Sequence, residues 1–218
     1  MIEVTSNKVH AEQVFHRLAE AYPNAHCELN FQTPWQLLVA TILAAQSTDQ
    51  QVNKLTAPLF ARYPTPETLA ALSLEELEQL IKSCGLYHNK AKNILATCRI
   101  LLDEQGGEVP QNLDDLVKLP GVGRKTANVV LSNAFGIPAF AVDTHVLRVS
   151  QRLGLSDHNT PDKVEADITA LLPKEAWKDA HHYLIWHGRR TCHARKPECD
   201  RCPLQDICPE QNGRVQGA

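Results

Sequence analysis

Four of the seven cysteines are concentrated near the end of the chain, at Cys192, Cys199, Cys202 and Cys208. Their spacing, C-x6-C-x2-C-x5-C, gathers four thiolates in a segment too short to form its own hydrophobic core. In a chain of the cytosol, such a group favours metal binding over disulfides. Tetrahedral zinc and a 4Fe-4S cluster both accept four cysteines. The single C-x2-C knuckle favours the larger cluster, but the spacing alone leaves zinc open.

The other cysteines and the histidines nearby are assigned no chemistry. Scattered cysteines are usually small hydrophobic core residues, and this is the prediction for Cys27, Cys84 and Cys98. Four histidines lie close to the cysteine group, but four thiolates already complete a site. We therefore predict that they are solvated or hydrogen-bonded residues; they are His181, His182, His187 and His193.

A second candidate is a glycine-rich turn within Leu-Pro-Gly-Val-Gly-Arg-Lys-Thr-Ala, residues 119–127. Two glycines directly before a helix aim free backbone N–H groups at an anion and let a phosphate approach closely. A nucleotide-binding P-loop needs four residues between its glycines, whereas one separates them here. The turn therefore favours a DNA backbone phosphate, and the alternative is a plain interhelical turn with a solvated Arg-Lys pair. Its contact residues would be Gly121, Val122, Gly123 and Arg124.

Composition indicates an ordinary globular chain of 218 residues with a net charge of −3. The longest apolar run, residues 37–45, is much shorter than the roughly 18 residues of a membrane span. No secretory signal is visible, so we expect a cytoplasmic protein without a membrane segment. Residues 118–152 carry five Lys and Arg against one acid, Asp143. This basic segment predicts a phosphate-binding face, and a merely solvated face is the alternative.

The elements that must position these groups are almost all helices, because apolar residues recur at helical spacing and no alternating strand pattern is found. Helix starts are marked by Thr33-Pro34, Thr65-Pro66 and Thr160-Pro161, and by a capping box at Ser73 to Glu76. Val9, Val14, Phe15 and Leu18 stripe the first helix. The other predicted helices cover residues 35–45, 48–63, 66 onward, 73–82, 89–104, 112–118, 124–134, 143–153, 161 onward and 173–190.

Three patterns together resemble the endonuclease III family of helix-hairpin-helix DNA glycosylases. They are the glycine hairpin, Val-Asp-Thr-His at 142–145, and the cysteine spacing. Further matches at residues 43–49, 85–91 and 187–189 extend the resemblance from about residue 30 to 208. The resemblance implies a bifunctional enzyme that is both a DNA glycosylase and an apurinic/apyrimidinic lyase, with a 4Fe-4S cluster held by the four cysteines.

By this resemblance, Lys125 is the nucleophile that attacks C1′ of the damaged nucleotide, expels the base and leaves a Schiff base. Elimination then breaks the strand on the 3′ side. Asp143 is the carboxylate that stabilises positive charge on the deoxyribose or steers the lysine proton, although an Asp at this position is also a routine helix N-cap.

The resemblance also implies an all-α fold of two lobes with DNA in the groove between them. Residues 27–137 form a six-helix lobe with the hairpin, and residues 1–26 join 138–218 in a cluster lobe. Gln46 and Leu86 are the candidates to fill the gap left by the extruded nucleotide, although sequence alone predicts Leu86 as a core leucine. The loop between Cys192 and Cys199 presents Arg195 and Lys196 to phosphates. The expected partner of this monomer is double-stranded DNA with an oxidised pyrimidine or an abasic site.

Two alternatives remain at this point. A mismatch-specific glycosylase of the same superfamily is the nearer one, although its adenine-specific members carry an additional C-terminal domain and lack the hairpin lysine. The more distant alternative is a non-catalytic DNA-binding module stapled by zinc. An iron-sulfur protein is brown, whereas a zinc protein is colourless.

Overall fold

In a computed structural model of the chain, the backbone of residues 2–216 and the side chains of residues 7–212 are described. The regular elements in this part of the chain are all helical, which confirms the predicted all-α class. Three 3-10 turns lie at Lys174–Ala176, Cys199–Arg201 and Gln205–Ile207. The α-helices are α1 (Ile2–Ala21), α2 (Pro34–Ala44), α3 (Asp49–Arg62), α4 (Pro66–Ala70), α5 (Leu74–Ile81), α6 (Tyr87–Glu104), α7 (Leu113–Leu116), α8 (Arg124–Ala134), α9 (Thr144–Arg152), α10 (Pro161–Leu171), α11 (Trp177–Arg190) and α12 (Pro209–Gln216).

Side-chain caps mark the starts of six of the described helices. The Thr33 side chain accepts a hydrogen bond from the Gln36 N–H at the start of α2. Ser73 and Glu76 form the predicted reciprocal capping box at the start of α5. Each such cap satisfies backbone N–H groups that have no partner inside the helix.

Three local predictions differ from the structure. Val9 is half exposed, although its neighbours Val14 and Leu18 are buried. Helix α6 begins at Tyr87 rather than at Asn89, directly after a left-handed Leu86. The last helix, α12, follows the cysteines in a segment to which the sequence assigned no structure. None of the described helices is long and apolar enough to cross a membrane.

The chain divides into two compact units. The continuous unit comprises Cys27–Ile137, and the split unit comprises Met1–His26 and Pro138–Ala218. In the continuous unit, α2 is buried on nearly every face and packs against α3, α6 and α8. A helix that is apolar all around belongs at the centre of its domain.

The core of the split unit is assembled from both of its segments. Val14 and Leu18 of α1 are fully buried in one cluster with Phe140, Val146 and Leu184. Helix α11 packs against both α1 and α9. The first helix is therefore held by residues that lie more than a hundred positions later in the chain.

Candidate active site and cysteine cluster

The glycine hairpin joins α7 to α8 in the continuous unit, as the sequence predicted. Gly121 has a φ of 79°, and a Cβ at this position would lie only 2.8 Å from the Asn93 side-chain nitrogen of α6. Glycine is therefore required here by both conformation and space. The Thr97 hydroxyl of α6 donates to the Pro120 carbonyl at 3.1 Å and anchors the turn on the helix beneath it.

The second glycine of the hairpin faces open space. Gly123 has an ordinary φ of −90°, and a Cβ added to it would meet nothing within 4 Å. The turn also gives α8 no side-chain cap, so its first N–H groups remain available to an external anion. The Val122 side chain is buried, and any contact it makes with a ligand is through its backbone. The hairpin thus has the space and the donors that a phosphate needs.

Lys125 and Asp143 lie in different units. Lys125 is exposed on the first turn of α8. Asp143 is half-buried at the start of α9, where its Oδ1 accepts the Val146 N–H at 2.8 Å. Capping uses one of the two carboxylate oxygens. The preceding backbone is held by His181 of α11, whose Nδ1 lies 2.8 Å from the Ala141 carbonyl.

Among the described residues, the three non-glycine residues with positive φ are Gln46 (57°), Leu86 (59°) and Lys196 (53°). All three are predicted DNA contacts, and all three are exposed. Backbone strain of this kind concentrates at functional sites. The interpretation of Leu86 as a core leucine is wrong, since 54% of its surface is exposed. Gln46 and Leu86 lie on adjacent loops, because a Cβ on Gly85 would come within 3.8 Å of the Gln46 carbonyl.

The four clustered cysteines surround one cavity in the split unit. Its empty volume is about 410 Å³, part of it open to solvent, and all four residues line it. Burial raises the pKa of the Cys202 and Cys208 thiols, and the neighbouring cysteines raise it further. Thiolates gathered in this way repel one another, so a bound group must supply positive charge. In the described part of the chain, no three His, Cys, Asp or Glu side chains are close enough to hold a single metal ion. The four cysteines therefore fit a bound group large enough to occupy the cavity that they line.

Two arginines of α9 support the cysteine loop, and sequence reasoning missed both. Arg148 donates to the Cys192 carbonyl at 3.0 Å, and Arg152 donates to the His193 carbonyl at 2.8 Å. Their separation of one helical turn is the only sequence signal that could have paired them. Fewer cations are therefore left for the predicted phosphate-binding face. Lys118 is also removed from it, because it forms an ion pair with Asp115 at 2.7 Å. Of the five cations in residues 118–152, Arg124 and Lys125 are the exposed pair that follows the glycine hairpin.

The histidines near the cysteines are mostly buried rather than solvated. His187 lies with its Nδ1 3.0 Å from the Tyr22 hydroxyl and its Nε2 3.8 Å from Cys202 Sγ. Burial lowers the pKa of His187 to about 4 and that of His182 to about 3, so both rings are neutral at physiological pH. A neutral His187 that accepts from Tyr22 presents its remaining N–H to the cysteine sulfur.

The scattered cysteines differ from one another. Cys98 is fully buried, and burial raises the pKa of its thiol to about 12, as expected of an inert core residue. Cys84 is also buried but has polar neighbours, and Cys27 is half-buried.

Comparison with known proteins decides the family. Residues 39–174 match the HhH-GPD superfamily of base excision DNA repair proteins. Residues 192–208 match the iron-sulfur binding domain of endonuclease III. An endonuclease III from Synechocystis is 50% identical over 208 residues, which cover 95% of each chain.

The chain belongs to the endonuclease III family. A solved non-covalent endonuclease III–DNA complex has a TM-score of 0.91 and 50% identity, covering 96% of this chain and 98% of that one. A trapped endonuclease III–DNA covalent intermediate has a TM-score of 0.89 and 50% identity, covering 94% and 98%. Family membership confirms the predicted class of base-excision repair enzyme, a DNA glycosylase with lyase activity. It also decides the cofactor that spacing left open, because the endonuclease III cysteine domain is an iron-sulfur domain. The cofactor is the predicted 4Fe-4S cluster.

Proposed function

We propose that this enzyme removes oxidised pyrimidines from double-stranded DNA and cleaves the strand at the resulting abasic site, with Lys125 as the nucleophile. One observation carries the assignment. Lys125 is an exposed amine in the first turn of a helix that follows the glycine hairpin without a side-chain cap. A phosphate bound at the hairpin N–H groups would bring the adjacent deoxyribose within reach of this amine.

The chemistry proceeds through a covalent intermediate. The unprotonated Lys125 amine attacks C1′, the bond from C1′ to the base breaks, and the base leaves with the bonding electrons. The nitrogen then loses a proton as the bond from C1′ to O4′ breaks, and the sugar opens to a Schiff base with O4′ protonated. The Schiff base makes the C2′ proton acidic, and removal of this proton expels the 3′ phosphate by β-elimination. Asp143 supplies the carboxylate near the sugar, with the oxygen that does not cap α9.

The other contacts divide between positioning and extrusion. Gly121, Val122, Gly123 and Arg124 bind a backbone phosphate. Arg195 and Lys196, both exposed on the loop between two cysteines, bind a second stretch of backbone. Gln46 and Leu86 occupy the gap that the extruded nucleotide leaves in the stack. The continuous unit is then the hairpin domain, and the split unit is the cluster domain.

Cys192, Cys199, Cys202 and Cys208 are the proposed ligands of the 4Fe-4S cluster. Bound there, the cluster supplies a covalent cross-link for a segment with little core of its own. The segment's carbonyls are held by Arg148 and Arg152, which orients the loop that carries Arg195 and Lys196. We expect the protein to act as a monomer in the cytoplasm, associated with DNA.

Borohydride trapping tests the central assignment. Wild-type protein reduced in the presence of a duplex with one abasic site should form a covalent adduct, because borohydride converts the Schiff base to a stable amine. Lys125→Gln should form no adduct and cleave no strand, while its affinity for the duplex stays within about threefold, since one phosphate contact at most is lost.

Lys118→Gln is the matched control, because Lys118 is an exposed lysine on the other side of the same hairpin. It should form adducts at the wild-type rate. Adduct formation by Lys125→Gln at the wild-type rate would assign the nucleophile to another amine and refute the proposal.

A further inference from the structure

The continuous unit contains a buried ammonium group that the proposed reaction does not use. Lys90 of α6 is only 4% exposed. Its Nζ donates to the Leu43 carbonyl at 2.8 Å and to the Ala45 carbonyl at 2.6 Å. It also lies 3.0 Å from Cys84 Sγ and 3.4 Å from Ser47 Oγ. Among the described residues, no carboxylate pairs with it.

This placement stabilises the end of helix α2. The last carbonyls of a helix lack partners within it and carry a partial negative charge. Leu43 and Ala45 supply two such carbonyls, and Lys90 satisfies both. Burial of a charge is costly unless it is hydrogen-bonded in this way. An apolar side chain would fill the same space without the free-energy cost of burying a charge. The role of the ammonium is therefore to bind these two carbonyls.

Lys90 holds the backbone that sets the conformation of Gln46. The Ala45 carbonyl belongs to the peptide plane that joins Ala45 to Gln46. The orientation of this plane fixes the φ of Gln46, which is 57°. A hydrogen bond from a buried ammonium therefore stabilises a backbone conformation that a residue with a Cβ rarely adopts.

The same residue also reaches the loop of Leu86. The Lys90 backbone N–H donates to the Leu86 carbonyl at 3.1 Å. Cys84, two positions before Leu86, contacts the Lys90 ammonium and donates its own S–H to the Leu43 carbonyl at 3.2 Å. Lys90 thus lies beneath both left-handed residues and joins the two loops that carry them.

We propose that Lys90 is a positioning residue for base extrusion, whose buried ammonium holds Gln46 and Leu86 as a preformed pair. This inference rests on the proposed function, in which these two side chains fill the gap in the base stack. With the pair preformed, the loops need not be ordered when the nucleotide leaves the stack. Removal of an intact damaged base requires full extrusion. An abasic sugar has no base to unpair and depends less on the pair.

Lys90→Met tests this inference, because methionine keeps most of the side-chain volume and removes the charge and the donors. Two substrates are compared in single turnover with saturating enzyme, a duplex with one thymine glycol and the same duplex with one abasic site. We expect base excision to fall at least tenfold and abasic-strand cleavage less than threefold. Lys92→Met, an exposed lysine on the same helix, is the matched control and should change neither rate.

A coupling measurement separates positioning from general stability. In a background with both Gln46→Ala and Leu86→Ala, adding Lys90→Met should lower excision less than twofold, because its effect acts through the removed side chains. The fluorescence rise of 2-aminopurine placed opposite the lesion should be slower in Lys90→Met than in wild type. Cys84→Ala is a smaller truncation that removes the sulfur contact of the Lys90 ammonium. It should lower base excision more than abasic-strand cleavage, and it provides this test even if Lys90→Met does not fold.

The outcomes are distinguishable. The inference is overturned if Lys90→Met lowers base excision and abasic-strand cleavage equally. It is also overturned if Lys90→Met lowers excision tenfold in the background that lacks the Gln46 and Leu86 side chains. Either result would make Lys90 a residue for general stability. Unchanged excision in Lys90→Met, or in Cys84→Ala if only that variant folds, would overturn it as well. A wild-type protein that cleaves neither duplex would instead contradict the proposed function.

Discussion

At the scale of single residues, Asp143 caps α9 with one carboxylate oxygen, and the proposed chemical role falls to the other oxygen. Asp143→Asn keeps an oxygen that can accept the Val146 N–H, so the free energy of unfolding should fall by less than the roughly 0.5 to 2 kcal/mol of a lost cap. Turnover should fall at least about a hundredfold, because the neutral amide can neither accept a proton nor stabilise positive charge. Urea unfolding and single-turnover cleavage measure the two effects.

Asp143→Ala is the companion variant, since it removes the cap and the carboxylate together. It should match the Asn variant in activity and be less stable. Normal turnover by Asp143→Asn would leave Asp143 as a helix cap alone.

His182 makes the stability of the split unit dependent on pH. Burial lowers its pKa from an ordinary 6.5 to about 3. Above about pH 6.5 both folded and unfolded chains leave this ring neutral, and its contribution to stability is complete. As the pH falls from there towards about 3, the unfolded chain binds a proton that the folded chain does not. The free energy of unfolding should therefore decrease by up to about 1.4 kcal/mol per pH unit from this group.

Urea midpoints at about pH 7 and about pH 5 check this direction. His182→Gln should reduce the difference between them, whereas His16→Gln, at an exposed histidine of the same unit, should not. An undiminished pH dependence in His182→Gln would assign the effect to other groups, among which His187 has the same direction of shift.

Sequence gives a reason to propose which residues react, but it gives no signal for the residues that position them. Lys125 and Asp143 stand in motifs with a chemical reason for each position, and their local settings at helix starts are as predicted. Lys90 gives no such signal, because its partners are carbonyls that lie more than forty positions away. The sequence pattern alone predicted Leu86 as a core leucine, and this was wrong. Its exposure results from a left-handed backbone conformation, which hydrophobicity cannot predict.

At the scale of elements, the loop between Cys192 and Cys199 is held by Arg152 at its start and by a hydrogen bond from the Glu198 N–H to the Thr191 carbonyl at its end. Arg152 donates to the carbonyls of His193 and Ala194, and the side chains of Arg195 and Lys196 are exposed. Replacing these two cations with Ala should weaken binding to damaged and undamaged duplexes alike. The slope of log K against log salt should flatten by roughly 0.9 per lost phosphate contact. Single-turnover cleavage by saturated enzyme should change little.

Lys163 and Lys174 are exposed cations elsewhere in the split unit and form the matched double-Ala control. That control should keep the wild-type salt slope. If the Arg195 and Lys196 double variant keeps it too, the loop does not touch DNA. Normal binding with failed single turnover would give the loop a part in catalysis.

Helix positions were the most predictable elements, because capping residues and prolines mark them locally. The starts at Pro34, Leu74 and Thr144 follow the predicted caps within one residue. The basic segment was less informative, since charge along the sequence does not say which way a side chain points. Arg148 and Arg152 point to carbonyls of the cysteine loop, and this required the fold.

At the scale of the whole molecule, the cluster should stabilise one unit and not the other. Cys202→Ser removes a proposed ligand, so visible absorbance should be lost and hydrogen exchange should become fast in residues 192–208 and in the adjoining α9. Protection in α2 and α6 of the continuous unit should be retained, because their core is separate. Cys98→Ala, at a buried cysteine of the continuous unit, should keep the colour. Retained colour in Cys202→Ser would remove that residue from the ligand set.

The split unit also has a consequence for the order in which the chain matures. During synthesis the continuous unit leaves the ribosome complete, and domains generally fold as units. Helix α1 is made before the continuous unit, yet Val14 and Leu18 have their buried partners at Phe140 and beyond. Its apolar face must wait until most of the protein has been translated, and the cysteine loop emerges later still. Helix α1 is therefore packed late although it is synthesised before the continuous unit, and its apolar face lacks its partners until the second segment of the split unit has been made.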